Sequence, residues 1–408
     1  MNFRKTKHLV FVNDFLSLGG INVFISSLVR LIKKKYATQF ECTLVVGKKR
    51  KEVQPRLLRD DFLKKELFFL KFNKRWQRLL EIPIAAFWTS FRLHGRKKID
   101  CLILNNTKSS FLIAPWARIK HIPALLHCHN IPAQDIYFND IERLNGFKKL
   151  KAILRAFCLW VMQAWVIFWV KRIIVFSRFQ KKQLSRFFPL CWNKIIISRF
   201  GVDTRFFRPS NNRSALKKKI GFSSSELLVF YLGRFEPNKG LSLFLESLKR
   251  LKGLGLPMRV IIAGPEDEFL PQIKKQVVRL KLKNVIFLGK LEGKKKIAFL
   301  QAADLLVIPS VGVETFSLTA LEALSCGTPV VANPVGGIEE ILSRVGRRWG
   351  NGRFLITQKT TPLAFSRTTT QVLKLGSRQR KHLRKICRQT IVIDFDLDKK
   401  GEKLIKLY

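Results

Sequence analysis

Two glutamates could bind a polyol ligand in the second half of the chain. Glu314 and Glu322 lie in ETFSLTALEALSCGTPVVANPVGGIEE (residues 314–340), with seven residues between them. The preceding DLLVIPS is typical of a buried parallel strand, and LTALEALSCG predicts a helix closed by Gly327. Open α/β sheets bind ligands beyond the carboxyl ends of such strands. A nucleotide sugar would offer hydroxyls to both carboxylates, about 12 Å apart at helical rise.

The helix start between these glutamates could bind the phosphates of the same ligand. The first amides of a helix have no intrahelical partner, so the amides of Phe316, Ser317 and Leu318 are expected to face a diphosphate. An alternative stays open. Glu314 would then be an ordinary acid at a helix start, and Glu322 would lie on a solvated helix face.

A second loop has the composition of a phosphate site. LLVFYLGRFEPNKGLSLFLESL joins a strand to a helix through Gly233, Arg234, Lys239 and Gly240. Glycine lets the backbone approach a ligand, arginine offers a fork to phosphate oxygens, and lysine adds a point charge. In so basic a chain, the loop could equally be a solvated turn.

The elements around these loops alternate between strands and helices. RVIIAGPEDE, which contains Gly264, NVIFLGKLEG, DLLVIPS and PVVANPVGG each predict a strand and a turn. In the front half, a strand from Lys7 leads through a Gly19-Gly20 turn into a helix. Further strands are predicted at ECTLVVG, IDCLILNN, PALLHCH, RIIVFS and KIIIS. The fold class is therefore α/β in both halves.

Residues 195–345 resemble the donor half of the retaining glycosyltransferases of family 4. The resemblance rests on FGVDTRFFRP, LGRFEPNKG, IIAGPEDE, VIFLG and ADLLVIPSVGVETFSLTALEALSCGTPVVANPVGG, and on a tail that ends in tyrosine. It implies the glycosyltransferase-B fold, in which two Rossmann-like domains face across a cleft. It also implies that Glu314 holds the sugar, Glu322 the ribose, and Arg234 with Lys239 the diphosphate. Thr315 and Ser317 depart from the family's glycines and are expected to narrow the space beside the sugar.

The resemblance also assigns places in the front half. The Gly19-Gly20 turn would face the donor phosphates and the acceptor. His127 and His129 lie two residues apart at a strand end, on one face. The family places a histidine there beside the donor's reacting carbon, and His129 fits that place better. A His-Cys-His metal site lacks a third ligand at suitable spacing, so no metal is expected.

Three domains are expected: an acceptor- and membrane-facing domain at 1–200, a donor domain at 201–390, and a helix at 391–408 that returns to the first domain. Asp394, Asp396 and Asp398 are interpreted as acids at the start of that helix. Seven cysteines form no paired framework, which favours a reducing compartment. No cleavable signal peptide is expected, because Met1–His8 leads directly into a strand.

The formal charge of +49 indicates anionic partners, although compositional bias could supply part of it. From Trp76 to Phe91, apolar residues follow one helical stripe between basic residues at 74–78 and 92–98. This pattern is typical of a basic interfacial helix, and Pro83 should kink that helix or mark its start.

Residues 156–170 form an apolar run of about 22 Å, shorter than a bilayer core. That run is expected to be a buried helix or a partly inserted one, rather than a membrane span.

Together these features predict a retaining, metal-independent transferase that needs no cofactor. It would move a hexose-type sugar from a nucleotide sugar to a glycan or glycolipid acceptor in lipopolysaccharide or cell-surface glycan synthesis. The expected location is the cytoplasmic face of an anionic membrane, with no specific nucleic acid partner, since an aromatic RNA-binding signature is lacking. The alternatives are an inverting enzyme of the same fold, and a non-catalytic basic binding protein on a degenerate transferase scaffold.

Overall fold

The computed structural model describes residues 6–16, 20–49, 64–67, 77–131, 136, 145–251, 255 and 257–408. The chain divides into two compact units. The first comprises Met1–Arg199 with Lys400–Tyr408, and the second comprises Phe200–Lys399. Each unit contains one parallel sheet, so the predicted α/β class is confirmed for both halves.

The sheet of the first unit has the strand order β3-β2-β1-β4-β5-β6-β7. Its strands are β1 Lys7–Leu16, β2 Phe40–Lys49, β3 Lys64–Leu67, β4 Cys101–Leu104, β5 Ala124–His127, β6 Arg172–Val175 and β7 Ile195–Ile197. The helices that join them are α1 Gly20–Tyr36, α2 Gln77–Arg96, α3 Thr107–Ile119, α4 Gly146–Trp169 and α5 Arg178–Phe187. The central strands are buried on both faces, which explains their unbroken apolar runs.

The sheet of the second unit has the order β10-β9-β8-β11-β12. Its strands are β8 Leu227–Leu232, β9 Met258–Ala263, β10 Val285–Phe287, β11 Leu305–Ile308 and β12 Val330–Ala332. Its helices are α6 Arg213–Lys219, α7 Leu241–Leu251, α8 Leu270–Arg279, α9 Gly293–Ala302, α10 Leu318–Ser325, α11 Ile338–Trp349, α12 Pro362–Leu373 and α13 Ser377–Asp394, and α14 Leu397–Ile405 follows them. The strand order reverses between β8 and β11, which is the place where open sheets bind ligands.

Helix α4 corrects the prediction for residues 156–170. It has 24 residues, so it is about 36 Å long rather than about 22 Å. The helix starts at Gly146, ahead of the apolar run, because cations are tolerated on an exposed helix face. Only part of α4 is buried, so a buried core helix is wrong. Within the part of the chain that the structure describes, α4 is long and apolar enough to cross a membrane, judged by length and composition alone.

Helix α2 continues through Pro83, so the expectation that this proline marks a helix start is wrong. Trp88 and Phe91 are exposed on α2, while Pro83 is buried and Phe87 packs against the core. The predicted stripe is therefore partly in the core. Residues 74–76 lie outside the described residues, as do the side chains of 77–80.

The three late aspartates have separate structural roles. Asp394 ends α13 and pairs with Arg344 at 3.6 Å and Arg348 at 2.8 Å, so its interpretation as a helix-start acid is wrong. Asp396 precedes α14 and accepts hydrogen bonds from the amides of Asp398 (3.1 Å) and Lys399 (3.3 Å). At the end of the tail, the Tyr408 hydroxyl lies 2.9 Å from Nε2 of His127 in the first unit.

Candidate functional site

The loop after β8 lies directly against the end of β11. A 3-10 turn, Pro237–Lys239, is followed by Gly240 with a φ of +65°. A Cβ on Gly240 would lie 2.0 Å from the carbonyl oxygen of Pro309, so only glycine fits. This close approach brings Lys239 to the residues that follow β11.

Lys239, Ser310 and Glu314 form a polar group that we call the Glu314 cluster. Lys239 Nζ lies 2.6 Å from Glu314 Oε1, and Ser310 Oγ donates to the same oxygen at 2.7 Å. The sequence assigned Lys239 to a diphosphate and Glu314 to a sugar, but did not pair them. The pair fixes a carboxylate beside a cation at the carboxyl ends of β8 and β11.

The backbone of Glu314 is fixed by the turn after β12. The amide of Glu314 donates to Val335 O at 3.3 Å, and the amide of Gly337 donates to Glu314 O at 2.7 Å. Gly336 has a φ of +86°, and a Cβ there would lie 2.4 Å from Glu314 O. The glycines of ANPVGG thus allow two loops to pack backbone to backbone.

Glu322 lies on α10 in a separate ion pair. Its side chain is 6% exposed, and its Oε1 lies 2.6 Å from Lys296 Nζ on α9. The alternative of a solvated helix face is therefore wrong. The estimate of about 12 Å between Glu314 and Glu322 assumed helical rise throughout, whereas α10 begins only at Leu318.

Ser317 caps α10. Its Oγ accepts a hydrogen bond from the amide of Ala320 at 3.3 Å, and the side chain is buried. Its hydroxyl therefore caps the helix start, and its effect on the space beside a sugar stays a prediction. Phe316 packs towards Phe395 in the core, with ring centroids 6.3 Å apart. Leu318, the first residue of α10, also packs against that core.

The rest of the β8 loop is held by close contacts. Arg234 pairs with Glu236 and keeps an exposed side chain. A Cβ on Gly264 would lie 2.1 Å from the carbonyl oxygen of Gly233, so the turns after β8 and β9 touch through these two glycines. The amide of Phe235 donates to Asp267 Oδ2 at 3.0 Å.

In the first unit, His129 follows β5 and packs between aromatic rings. Its ring centroid lies 5.2 Å from Phe24 and 5.1 Å from Phe176. Burial among them lowers the pKa of His129 to about 3, so the ring is neutral at physiological pH. His129 Nε2 lies 3.2 Å from Asn105 Oδ1, while the Asn105 amide nitrogen donates to the carbonyls of Val12 and Ile103. His129 therefore carries its proton on Nε2.

The other predicted residues of the first unit are placed only in part. Gly20 is the first residue of α1 and is exposed. Gly19 lies outside the described residues. Among the residues that the structure describes, no group of three histidine, cysteine, aspartate or glutamate side chains is arranged to hold a metal ion.

Sequence reasoning missed three residues of these sites. Ser310 closes the strand motif DLLVIPS, and its position directly after a buried strand was an available signal. Lys296 belongs to the KKK run at 294–296, which gave no sign of its buried partner. Asn105 follows β4, where a polar residue at the carboxyl end of a central strand was a signal too.

The two halves of the chain match two glycosyltransferase families. Residues 18–206 match Glycosyltransferase Family 4, and residues 212–390 match Glycosyl transferases group 1. The D-inositol 3-phosphate glycosyltransferase of Mycolicibacterium smegmatis is 34% identical over 173 residues, which are 41% of this chain and 38% of that protein. An uncharacterized glycosyltransferase of Methanocaldococcus jannaschii is 28% identical over 256 residues, 61% of each chain. The aligned part of the chain thus spans 38% and 61% of these relatives, less than two thirds of either.

Solved structures resemble almost the whole chain. Sucrose-phosphate synthase of Thermosynechococcus elongatus superposes with a TM-score of 0.79 at 16% identity and covers 98% of both chains. HepE of Anabaena, solved with UDP and glucose, gives a TM-score of 0.75 at 17% identity and covers 98% of this chain and 99% of its own. At such identities the likeness is one of fold.

Proposed function

We propose that this protein transfers a hexose-type sugar from a nucleotide diphosphate sugar to a membrane-associated acceptor. The chain belongs to the group 1 glycosyltransferases and has the glycosyltransferase-B fold. The Glu314 cluster is the observation that carries this proposal. It joins a hydroxyl-binding carboxylate to a phosphate-binding cation where the strand order reverses. HepE was solved with UDP-glucose, and its fold is similar.

Each residue of the donor site has a proposed role. Glu314 accepts hydrogen bonds from the sugar hydroxyls, and the exposed fork of Arg234 joins Lys239 at the diphosphate. Lys296 engages Oε1 of Glu322, and we assign Oε2 of Glu322 to a ribose hydroxyl. Gly233 and Gly264 let the backbone approach the ligand, and the first amides of α10 face its phosphates.

The reaction is proposed to be retaining and independent of metal ions. Departure of the nucleotide diphosphate breaks the bond to the anomeric carbon, and Lys239 with Arg234 stabilises the charge that develops on it. Lys239 and Ser310 contact Oε1 of Glu314, and we propose that this carboxylate holds the sugar and is not the general base. The acceptor oxygen then bonds to the anomeric carbon on the face that the leaving phosphate vacates, and its proton passes to the leaving phosphate oxygen. We propose that neutral His129 of the first unit binds sugar rather than donating a proton.

Two variants separate the roles of the glutamates. Glu314→Gln should lower turnover by about two orders of magnitude, the loss expected for one preorganised contact, with little change in free nucleotide binding. Glu322→Ala should chiefly weaken nucleotide binding. Initial rates and calorimetry with free nucleotide measure both effects. An equal loss of nucleotide affinity in the two variants would contradict the assigned roles.

The configuration of the product and the effect of removing metal ions test the mechanism. NMR of the product should show the anomeric configuration of the donor, and a chelator should leave the rate unchanged. An inverted product would require a base at the acceptor and would replace the retaining mechanism. A loss of activity that added divalent ions restore would replace the metal-independent one.

Helix α4 supports the membrane part of the proposal. Its exposed apolar residues recur at helical spacing and form a stripe about 32 Å long. We call the following residues the α4 stripe: Phe147, Leu150, Leu154, Phe157, Val161, Trp165 and Phe168. The helix has no acidic residue, and Lys148, Lys149, Lys151 and Arg155 lie in its first half. An apolar stripe beside cations suits the interface of an anionic bilayer.

We therefore propose that α4 lies on the cytoplasmic face of a membrane, where the acceptor is a lipid-linked glycan of cell-surface or lipopolysaccharide synthesis. Seven free cysteines fit that reducing compartment. Of the seven, Cys158 alone is exposed, and it lies on α4. An environment-sensitive dye on Cys158 should shift to an apolar spectrum with anionic vesicles, and much less with neutral ones.

Three phenylalanines test the α4 stripe. Phe147, Phe157 and Phe168 are 69%, 61% and 68% exposed, so their replacement by serine should not disturb the fold. The triple variant should bind anionic vesicles at least about 100-fold more weakly, since each buried aromatic contributes about 1.5 kcal/mol or more. A control with Leu190, Val278 and Leu363 changed to serine should bind normally. Equal binding by both triple variants would contradict the proposal.

A further inference from the structure

A cavity lies in the second unit, at the amino ends of β8 and β11. Its volume is about 340 Å³. Its lining comes from α6, the strand starts, the end of α12 and the first half of α13. We call this the basic cavity.

The basic cavity carries five cationic side chains and one carboxylate. The carboxylate, Asp304, is engaged by two of the cations. Arg213 Nη2 lies 2.5 Å from Oδ1, and Lys217 Nζ lies 2.8 Å from Oδ2. Arg384 instead donates to the carbonyls of Ala303 at 2.9 Å and Gln301 at 3.0 Å. Asp304 therefore balances only part of the positive charge.

Two cations of the cavity have no ion-pair partner. Arg380 and Lys381 pair with no acidic side chain among the residues that the structure describes. Arg213 Nε is buried and likewise has no hydrogen-bond partner in that part of the chain. Burial, and after it the charge of the neighbouring Arg213, lower the pKa of Arg384 to about 10. An anion in the cavity would relieve this repulsion.

The basic cavity is separate from the donor site. Asp304 precedes β11 and Ser310 follows it, so the two sites lie at opposite ends of the same strand. Six residues of extended chain span about 20 Å. One small ligand therefore does not reach from the basic cavity to the Glu314 cluster.

We propose that the basic cavity binds a small phosphorylated molecule as a second ligand, distinct from the sugar donor. Arg380 and Lys381 contact its phosphate group, while the hydroxyls of Ser224, Ser225 and Ser377 donate to further phosphate or polar oxygens. The apolar side of the cavity, formed by Leu227, Pro329, Val372 and Leu373, contacts the organic body of the ligand. The cavity volume suits a ligand of metabolite size.

Inorganic phosphate is the probe that tests this site. We expect calorimetric titration of the full chain, at constant ionic strength, to give saturable binding. The double variant Arg380→Ala/Lys381→Ala should bind phosphate at least about tenfold more weakly, since it removes two charge-assisted contacts. Both residues are at the surface of α13, so the variant should keep its melting temperature.

Two controls make the result specific. Arg378→Ala/Lys385→Ala removes the same charge from exposed positions of α13 outside the cavity and should bind phosphate as the wild type does. Lys239→Ala removes a cation of the proposed diphosphate site, so it should leave intact the phosphate binding that depends on Arg380 and Lys381. An equal loss in both double variants would show a general attraction to positive charge and overturn the proposal. A loss only in Lys239→Ala, or no saturable binding, would also overturn it.

Discussion

Gly336→Ala should damage the donor site through the backbone of Glu314. Gly336 has a φ of +86°, and its added methyl would lie 2.4 Å from Glu314 O. Gly350 provides a matched control, because its φ is +102° but no atom lies within 4 Å of a Cβ there. Alanine meets the same kind of backbone strain at both positions, and only at Gly336 does it also collide with the backbone of Glu314.

The cost of the collision follows from this comparison. A left-handed conformation costs a non-glycine residue about 1–2 kcal/mol, and the stiffer unfolded chain returns about 0.4–1 kcal/mol. Gly350→Ala should therefore lower the free energy of unfolding by about 1 kcal/mol. At Gly336 the backbone must also move by about 1 Å, and such overpacking costs a further 1–3 kcal/mol. That extra cost corresponds to a melting temperature lower by roughly 2–12 °C.

Two assays check the prediction. Thermal unfolding should rank wild type above Gly350→Ala and Gly350→Ala above Gly336→Ala. Nucleotide sugar binding should be normal in Gly350→Ala but at least about tenfold weaker in Gly336→Ala, because misplacement by about 1 Å can cost as much as 100-fold at a preorganised site. If the two variants had equal stability and equal donor affinity, Gly336 would not be what positions Glu314.

Three further predictions concern buried charges and rings. Lys296→Met leaves the buried Glu322 without its cation and should cost about 3 kcal/mol in urea unfolding; an unchanged midpoint would contradict this. Burial alone would raise the pKa of Asp304, but the charges of Arg213 and Lys217 outweigh it and lower that pKa. The contribution of Asp304 to stability is therefore present above about pH 4 and is lost as the pH falls through the lowered pKa. The stability difference between wild type and Asp304→Asn should therefore narrow below that pH. The His129 ring should show no NMR titration between about pH 5 and 8, and a midpoint near 6.5 would refute its burial.

Much of the fold could be predicted from local patterns. Strands such as β4, β5 and β11 are short apolar runs with turn residues after them, and parallel strands buried on both faces have this composition. The bounds of α4 could not be predicted in this way. Among its first ten residues only Ala152 is buried, and the cations are exposed, so no apolar run marks the start.

The site was predictable in kind but not in its pairing. Residue types at strand ends indicated Glu314, Glu322 and Lys239, since ligand sites of open sheets lie there. The partners were not predictable, because Lys239 meets Glu314, and Lys296 meets Glu322, only after the chain crosses between elements. The excess of cations over the one carboxylate of the basic cavity also results from packing, since its members come from α6, from α13 and from the residue before β11.

The central claim is that the second unit binds a nucleotide diphosphate sugar at the Glu314 cluster. A thermal-shift panel of such donors against the full chain tests it most directly. At 100 times its dissociation constant, the correct donor should stabilise the wild type by about 2.7 kcal/mol. Glu314→Gln should lose most of the gain that the sugar adds over the free nucleotide. No stabilisation by any donor, or the same gain in Glu314→Gln, would contradict the account.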